Sequence, residues 1–563
     1  MPVAAAAAAA GAHVLYRGIM VQPIRDTIKK RGSVKVLGRA ALGVDGVGRI
    51  CYFKEDEEEK DEEEGNEEDT TPKRVEAQGE EARSAALASS HLVSCQPPPP
   101  SLRIVTLPPS HFLLPGLIDT HLHAPQFGYT GTATHLPLLE WLNRYTFPSE
   151  ARLASDLSYA QSLYRSLLDT VVGQGTTTAL YFASKDLAPT KLLVDLIHAK
   201  GQRGFVGKVN MDRHAPEDYC EASASASLAA TEAFLDYVLD VVASPLVRPV
   251  LTPRFLPTCS DALLQGLGAL ARKYAGREGG REGGRDGGRE GGRGGATPGL
   301  HIQSHISESA DQVAFNHRLA VHHQGESRDL PVFERCGLLT PLTVLAHGIH
   351  LSPSELALLA RRGAGLAHCP LSNFFFGNGV LPVRKVLEAG VKVGLGTDVA
   401  GGYSSSMLSA IRSCVLASRA LEDGVEEWRH GEEEVEREGK KEGGKQGGEQ
   451  WCKEGREGMR IDWKEALWLA TMGGAECLGL EEEVGSWAVG KAFDAVRVDV
   501  KKGGAVVVLE GGGDSAEDLV EKWVNNGDDR HVLEVYVVGR EIKHGGWEGG
   551  GGGAGKGRSQ TQK

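Results

Sequence analysis

Between Leu113 and Leu480, short apolar runs alternate with longer amphipathic stretches. A buried strand needs only a short apolar run, whereas a helix buried on one face needs apolar residues at a longer period, so the alternation predicts repeated beta-alpha units. The runs are Leu114 to His121, Thr177 to Phe182, Gly204 to Val209, Pro249 to Pro253, Leu300 to His305, Thr343 to Ala346, Gly365 to His368 and Lys392 to Gly396. Eight strands with helices between them predict an α/β fold, a (β/α)8 TIM-like barrel over 113–480. The flanks read as short β patterns: Val14 to Val21, Val34 to Leu42 and Arg49 to Phe53 before the barrel, then Ala495 to Val500, Ala505 to Leu509 and Val532 to Val538 after it. They predict a small β-sandwich domain assembled from both flanks, residues 13–54 and 101–112 supplying one part and 481–544 the other.

Composition removes four segments from this scheme. Residues 55–100 are acidic and then proline-rich, 276–296 repeat Gly-Gly-Arg-Glu, 422–458 are Glu, Lys and Gly, and 545–563 form a glycine-rich tail. Such sequences bury too little apolar surface to offset the entropy of ordering, so they are expected to be solvated insertions and a tail. A net charge of -13 argues against a partner with a phosphate backbone, so no nucleic acid is expected. No run is long and apolar enough for a membrane span, and the opening alanines lack the basic and leucine-rich parts of a secretory signal. Nine cysteines stand singly, without a Cys-x-x-Cys pair, which fits reduced thiols and a cytoplasmic location.

In a barrel of this kind, chemistry collects at the C-terminal ends of the strands. Six of the eight predicted strand ends carry suitable residues: His121 and His123, then Arg254, His305 with Glu308, His347, His368, and Asp398. Alternate residues of a strand share a side, so His121 and His123 can chelate one ion. His305, His347 and Asp398 each follow a separate strand and can complete a divalent-metal shell; His347 can equally lie just outside it as a hydrogen-bond donor. An open position on zinc lowers the pKa of its water to about 7. Asp398 can then take the water proton, and Glu308 can carry a proton to a ring nitrogen and a leaving amine. Ser307-Glu308-Ser309 also looks like a helix start. His368, ahead of Cys369-Pro370, is read as structural.

The run Pro115-Gly116-Leu117-Ile118-Asp119-Thr120-His121-Leu122-His123 resembles the first-strand signature of the amidohydrolase superfamily. Ala124-Pro125-Gln126, Leu138-Leu139-Glu140-Trp141-Leu142, Tyr145-Thr146-Phe147-Pro148, Thr252-Pro253-Arg254-Phe255, His301 to Glu308, Ala346-His347-Gly348, His368 to Asn373 and Gly394 to Ser404 are similar to the guanine deaminases within it. The resemblance implies one zinc per subunit on His121, His123, His305 and Asp398, with Glu308 as proton shuttle and His347 polarising the attacked centre. It places Gln126, Arg254 and Phe255 around a purine, beside His305, Glu308 and Asp398, and implies a homodimer. The amide of Gln126 can donate and accept, the guanidinium of Arg254 can bond the C6 oxo group, and Phe255 can wall the ring. Adenine would leave the Arg254 donor unpaired, so guanine is the favoured substrate.

The nearest rival is an amidohydrolase deaminase acting on a related purine or triazine ring. A cytidine-deaminase type of zinc site is rejected, because His430-Gly431-Glu432 lies in a low-complexity run and lacks a following cysteine pair. A silent relative acting as a scaffold is disfavoured by the intact set of ligand residues.

Overall fold

The amino-terminal flank supplies five strands: β1 (Val14–Asp26), β2 (Arg31–Val44), β3 (Ile50–Glu55), β4 (Arg103–Thr106) and β5 (His111–Pro115). Eight further strands follow: β6 (Leu117–His123), β7 (Thr176–Phe182), β8 (Arg203–Asn210), β9 (Val247–Pro253), β10 (His301–Ile306), β11 (Thr343–His347), β12 (Gly365–His368) and β13 (Lys392–Leu395). The carboxyl-terminal flank adds β14 (Ala495–Asp499), β15 (Val532–Val537) and β16 (Arg540–Glu541). These are the elements of a computed structural model that describes residues 2–26, 31–55, 102–277, 299–377, 379–423, 458–509 and 513–543. The low-complexity runs expected over 55–100, 276–296, 422–458 and 545–563 lie outside the described residues apart from a few at their edges.

Strands β6 to β13 pair in chain order, each parallel to the next. The seam of this nearly closed barrel is drawn together just past β13, where Asp398 N–H donates to the His121 carbonyl at 2.9 Å and His123 N–H to Val399 at 3.1 Å. The predicted barrel is therefore present. Its strands read as continuous apolar runs because helices cover the outside while packed side chains fill the inside. The helix Leu157–Gly173 shows the outer layer: Ala160, Leu163, Tyr164, Leu167, Leu168, Val171 and Val172 recur at three and four residues and are all buried. Each of its buried leucines contributes about 1.5–3 kcal/mol relative to exposure.

The two flanks join in one curled eight-stranded sheet, ordered β16-β15-β14-β5-β1-β2-β3 with β4 beside β1. The junction is antiparallel, β5 residues 111–115 against β14 residues 499–495. Two expectations change here. The run Leu114 to His121 is not one strand but the end of β5 and most of β6, one in each sheet. The break is Gly116, whose N–H bonds the Asp494 carbonyl at 2.9 Å and where a Cβ would lie 2.0 Å from Thr177 Oγ1. Only a residue without a side chain passes there. The run Ala505 to Leu509 is no strand: Val506 is buried, but Val507 is 73% exposed and Leu509 55%. Leu509 N–H bonds the Asp514 carboxylate at 2.9 Å, and Ser515 and Asp518 form a capping box at the start of the helix Ala516–Asn526. Among the described residues no helix is long and apolar enough to cross a membrane.

Candidate active site

The site lies at the C-terminal ends of the barrel strands. β6 carries His121 and His123 on one side, while Leu122 between them faces the opposite way into a separate apolar cluster. Beyond β10 the chain turns sharply at Ser307, φ +43°; β11 ends at His347, φ +71°; Asp398 after β13 has φ +50°. All three are non-glycine residues in the left-handed region, a conformation that costs about 1–3 kcal/mol and collects at functional sites. Glu308 follows this turn, and Ser309, not Glu308, caps the helix Ala310–Leu319.

The side chains so placed converge. Ligand atoms of His121, His305, His347 and Asp398 lie within 4.8 Å of one another. His123 joins them, its Nε2 2.9 Å from His305 Nε2 and 3.5 Å from Asp398 Oδ1. Asp398 Oδ1 is also 3.1 Å from His121 Nε2, and Oδ2 is 3.8 Å from His347 Nε2, which faces Glu308 Oε1 at the same 3.8 Å. Phe182 packs its ring against His121, His123 and His305, with centroids 4.6–4.9 Å apart.

Hydrogen bonds away from the cluster decide which ring nitrogen faces it. His305 Nδ1 donates to the Arg254 carbonyl at 2.7 Å, so Nε2 presents a lone pair. His347 Nδ1 donates to Asn373 Oδ1 at 2.9 Å, and Asn373 Nδ2 in turn donates to His368 Nδ1 at 3.4 Å. His368 is thus outside the cluster, as expected, and burial pushes its pKa down to about 3. Nε2 of His347 is buried with no hydrogen-bond partner among the described residues, and Nε2 of His121 makes none of good geometry. A metal ion would satisfy a buried nitrogen left in this way, as at His121, and an imidazole just outside the shell would use it toward a bound group, as at His347. The donor set of imidazoles and one carboxylate fits that role.

Electrostatics agree. Burial, followed by the neighbouring imidazoles, holds His123 and His305 well below the ordinary histidine pKa, and burial also lowers His121. Burial opposes the charge on Asp398, but His121, His347 and His123 outweigh it and keep its pKa below the usual carboxylate range. Glu308 is pushed up by burial. For His347, burial favours the neutral ring, yet Glu308 and Asp398 prevail and raise its pKa.

A cavity of about 640 Å³ opens onto the cluster. Its wall includes Gln126, Arg254, Phe255 and Glu308 together with His305 and Asp398, so the residues expected around a substrate share one chamber. Arg254 is anchored by Glu150 through two bonds, 2.7 and 3.2 Å, and burial, which works against its charge, is outweighed by that carboxylate.

The amidohydrolase family pattern matches residues 112–277, 296–433 and 446–542. Human guanine deaminase is 37% identical over 77% of this chain and 83% of its own length. A probable guanine deaminase of Schizosaccharomyces pombe is 36% identical over 77% and 72%. The chain belongs to the amidohydrolase family, in its guanine deaminase branch. A crystal structure of guanine deaminase from C. acetobutylicum with guanine in its active site is 27% identical, covers 94% of this chain and 99% of that one, and superposes with a TM-score of 0.68.

This amidohydrolase has site residues that the strand-end pattern did not single out. Asp119, buried on β6, accepts from Thr397 Oγ1 at 2.5 Å, Thr397 N at 3.1 Å and His121 N at 3.1 Å, tying the first and last barrel strands together below the cluster. Phe182 ends β7, Asn373 orients His347, and Glu150 holds Arg254. Asp119 and Asn373 stand inside the quoted motif blocks, and Glu150 two residues past Pro148, so proximity to a motif was the available signal.

Proposed function

We propose that this protein hydrolyses guanine to xanthine and ammonia, using one zinc ion per subunit held by His121, His123, His305 and Asp398. The observation that carries the reading is one cavity containing both the histidine and aspartate cluster and a buried, anchored Arg254. Zinc bound there supplies Lewis acidity and brings the pKa of a water to about 7. Asp398, kept ionised by its histidines, takes the proton of the attacking water at a carboxylate oxygen. Glu308, whose raised pKa suits proton carriage, passes a proton to the ring nitrogen beside C2, regains the second water proton as the C2 carbonyl forms and gives it to the departing amine, and the proton taken by Asp398 then returns to Glu308. His347, with Nδ1–H committed to Asn373, turns Nε2 toward the reacting centre and polarises it from there.

On the substrate side, Arg254 donates to the C6 oxo group, Gln126 adds an amide contact and Phe255 walls the ring. Adenine offers an amino group where Arg254 requires an acceptor, which disfavours it. All five cluster residues are buried at the floor of the site. The proposed assembly is a homodimer, to be checked by sedimentation, and the proposed location is cytoplasmic.

The test is metal content together with xanthine formation from guanine. Glu308→Gln is expected to keep its zinc and lose about 100- to 10,000-fold in kcat. Turnover surviving that change overturns the proton-shuttle role. Zinc-loaded protein that leaves guanine intact overturns the function.

A further inference from the structure

Glu150 lies on the helix Phe147–Ser155, 1% exposed, behind the cavity wall and not in it. A carboxylate offers about four lone-pair sites. Here four donors occupy them: Gln126 Nε2 at 3.1 Å and Arg254 Nη2 at 3.2 Å on Oε1, then Arg254 Nη1 at 2.7 Å and Tyr219 Oη at 2.6 Å on Oε2. Two of the three donating residues, Gln126 and Arg254, line the cavity. Each reaches Glu150 with one N–H per nitrogen and keeps a second N–H on that nitrogen.

The far side of Gln126 is equally committed. Its Oε1 accepts from Ala400 N–H at 3.2 Å, so the amide cannot present its oxygen to the cavity without giving up both bonds. Arg254 is also gripped through its backbone, N–H on the Asn210 carbonyl at 3.1 Å and its own carbonyl receiving His305 Nδ1–H at 2.7 Å. Its guanidinium faces the Phe147 ring at 5.2 Å. The outcome is an edge of fixed donors, with the Gln126 oxygen engaged by the Ala400 backbone.

We infer that Glu150 is the positioning residue that sets oxo-over-amino selectivity in this pocket, by holding Gln126 and Arg254 as an edge of fixed donors without touching substrate. The inference rests on the proposed function for the identity of the ring. An edge of fixed donors rewards a carbonyl and leaves an amino group facing N–H groups, the arrangement that gives the largest discrimination between close analogues. Replacing the carboxylate by an amide removes the charge opposite Arg254 and turns two acceptor sites into donors. Gln126 is then held by the Ala400 N–H alone, so that a flip offering its oxygen to an amino group costs one bond instead of two.

The experiment compares binding of hypoxanthine and adenine, which differ in the oxo or amino group at C6 and in the N1 proton that accompanies the oxo form, to the zinc-loaded full chain by calorimetry. In Glu150→Gln, hypoxanthine is expected to weaken at least about tenfold while adenine stays within about twofold or tightens, so the selectivity ratio falls at least about tenfold. Equal weakening of both ligands, the mark of a merely structural role, overturns the inference, as does an unchanged ratio. Should Glu150→Gln fail to fold, Tyr219→Phe removes one donor from the same oxygen and should lower the ratio about threefold; no change there overturns the inference equally. Wild-type protein that binds hypoxanthine in preference to adenine yet releases no ammonia from guanine separates the outcomes: it overturns the function and leaves the role of Glu150 standing.

Discussion

At the scale of the residue, the cluster depends on neighbours with no side chain of their own to contribute. A Cβ at Gly396 would lie 2.8 Å from His121 Cβ and 2.9 Å from Cys369 Sγ, so Gly396→Ala must displace the backbone that carries the first histidine. The expected result is a loss of about 1–3 kcal/mol in stability with reduced zinc per chain, measured by denaturant unfolding and metal analysis on one preparation. Full zinc occupancy with unchanged stability would show that His121 has more room than the packing indicates. The same scale separates what could be read in advance from what could not. His121, His123, His305, His347 and Asp398 stand out because strand ends are local features of the chain. The atoms they present are another matter: His305 and His347 are oriented by Arg254 and Asn373, partners 51 and 26 residues away.

At the scale of the element, barrel strands were legible because burial on both faces leaves an uninterrupted apolar run, which few other elements produce at that length. Their ends were less so. Gly116 divides one apolar run between two sheets; Pro115-Gly116 is a local break signal, but only packing sends the two halves to different sheets. Helix starts carry their own chemistry: Asp261 opens the helix Asp261–Lys273 and gathers Arg335 at 2.7 and 2.8 Å, His323 at 3.0 Å and Gln324 at 3.1 Å. Led by the Arg335 guanidinium, these partners hold the Asp261 carboxyl far below its ordinary value of 3.8. A depressed carboxylate contributes stability above its unfolded pKa, and that contribution is lost as pH falls through the folded value. The Tm of wild type should therefore exceed that of Asp261→Asn at neutral pH, and the gap should narrow progressively below about pH 4. A gap of constant size from pH 7 to pH 3 would contradict this account of the helix start.

At the scale of the whole molecule, the two flanks close one sheet and are tied to each other and to the barrel. A buried ion pair makes one of these ties: Arg203 Nε on β8 meets Asp494 Oδ2 at 3.2 Å, and Asp494 Oδ1 takes Val538 N–H at 2.8 Å. Arg203 begins its strand, at the barrel end opposite the site. Asp494→Ala leaves this cation buried with a single longer contact to Glu483 at 3.4 Å, and should cost about 3–5 kcal/mol in unfolding free energy. Turnover of guanine at 25 °C should stay within about twofold, since the site is built from the other ends of the strands. A large fall in kcat without a fall in stability would reverse that division between the two ends of the barrel. The family match leaves out residues 278–295 and 434–445, inside two of the low-complexity runs.

The sequence by itself determined the barrel, the membership of both flanks in a β structure, and the residues available for metal and purine chemistry. Each follows from local period, local composition or a short motif. Only the tertiary structure decided where the first apolar run divides, which imidazole nitrogen meets the cluster, and that Glu150 commands Arg254 across 104 residues and Gln126 across 24. A carboxylate on an amphipathic helix looks the same whether it faces water or saturates four buried donors. Packing between distant segments makes that choice, and it leaves no local trace in the chain.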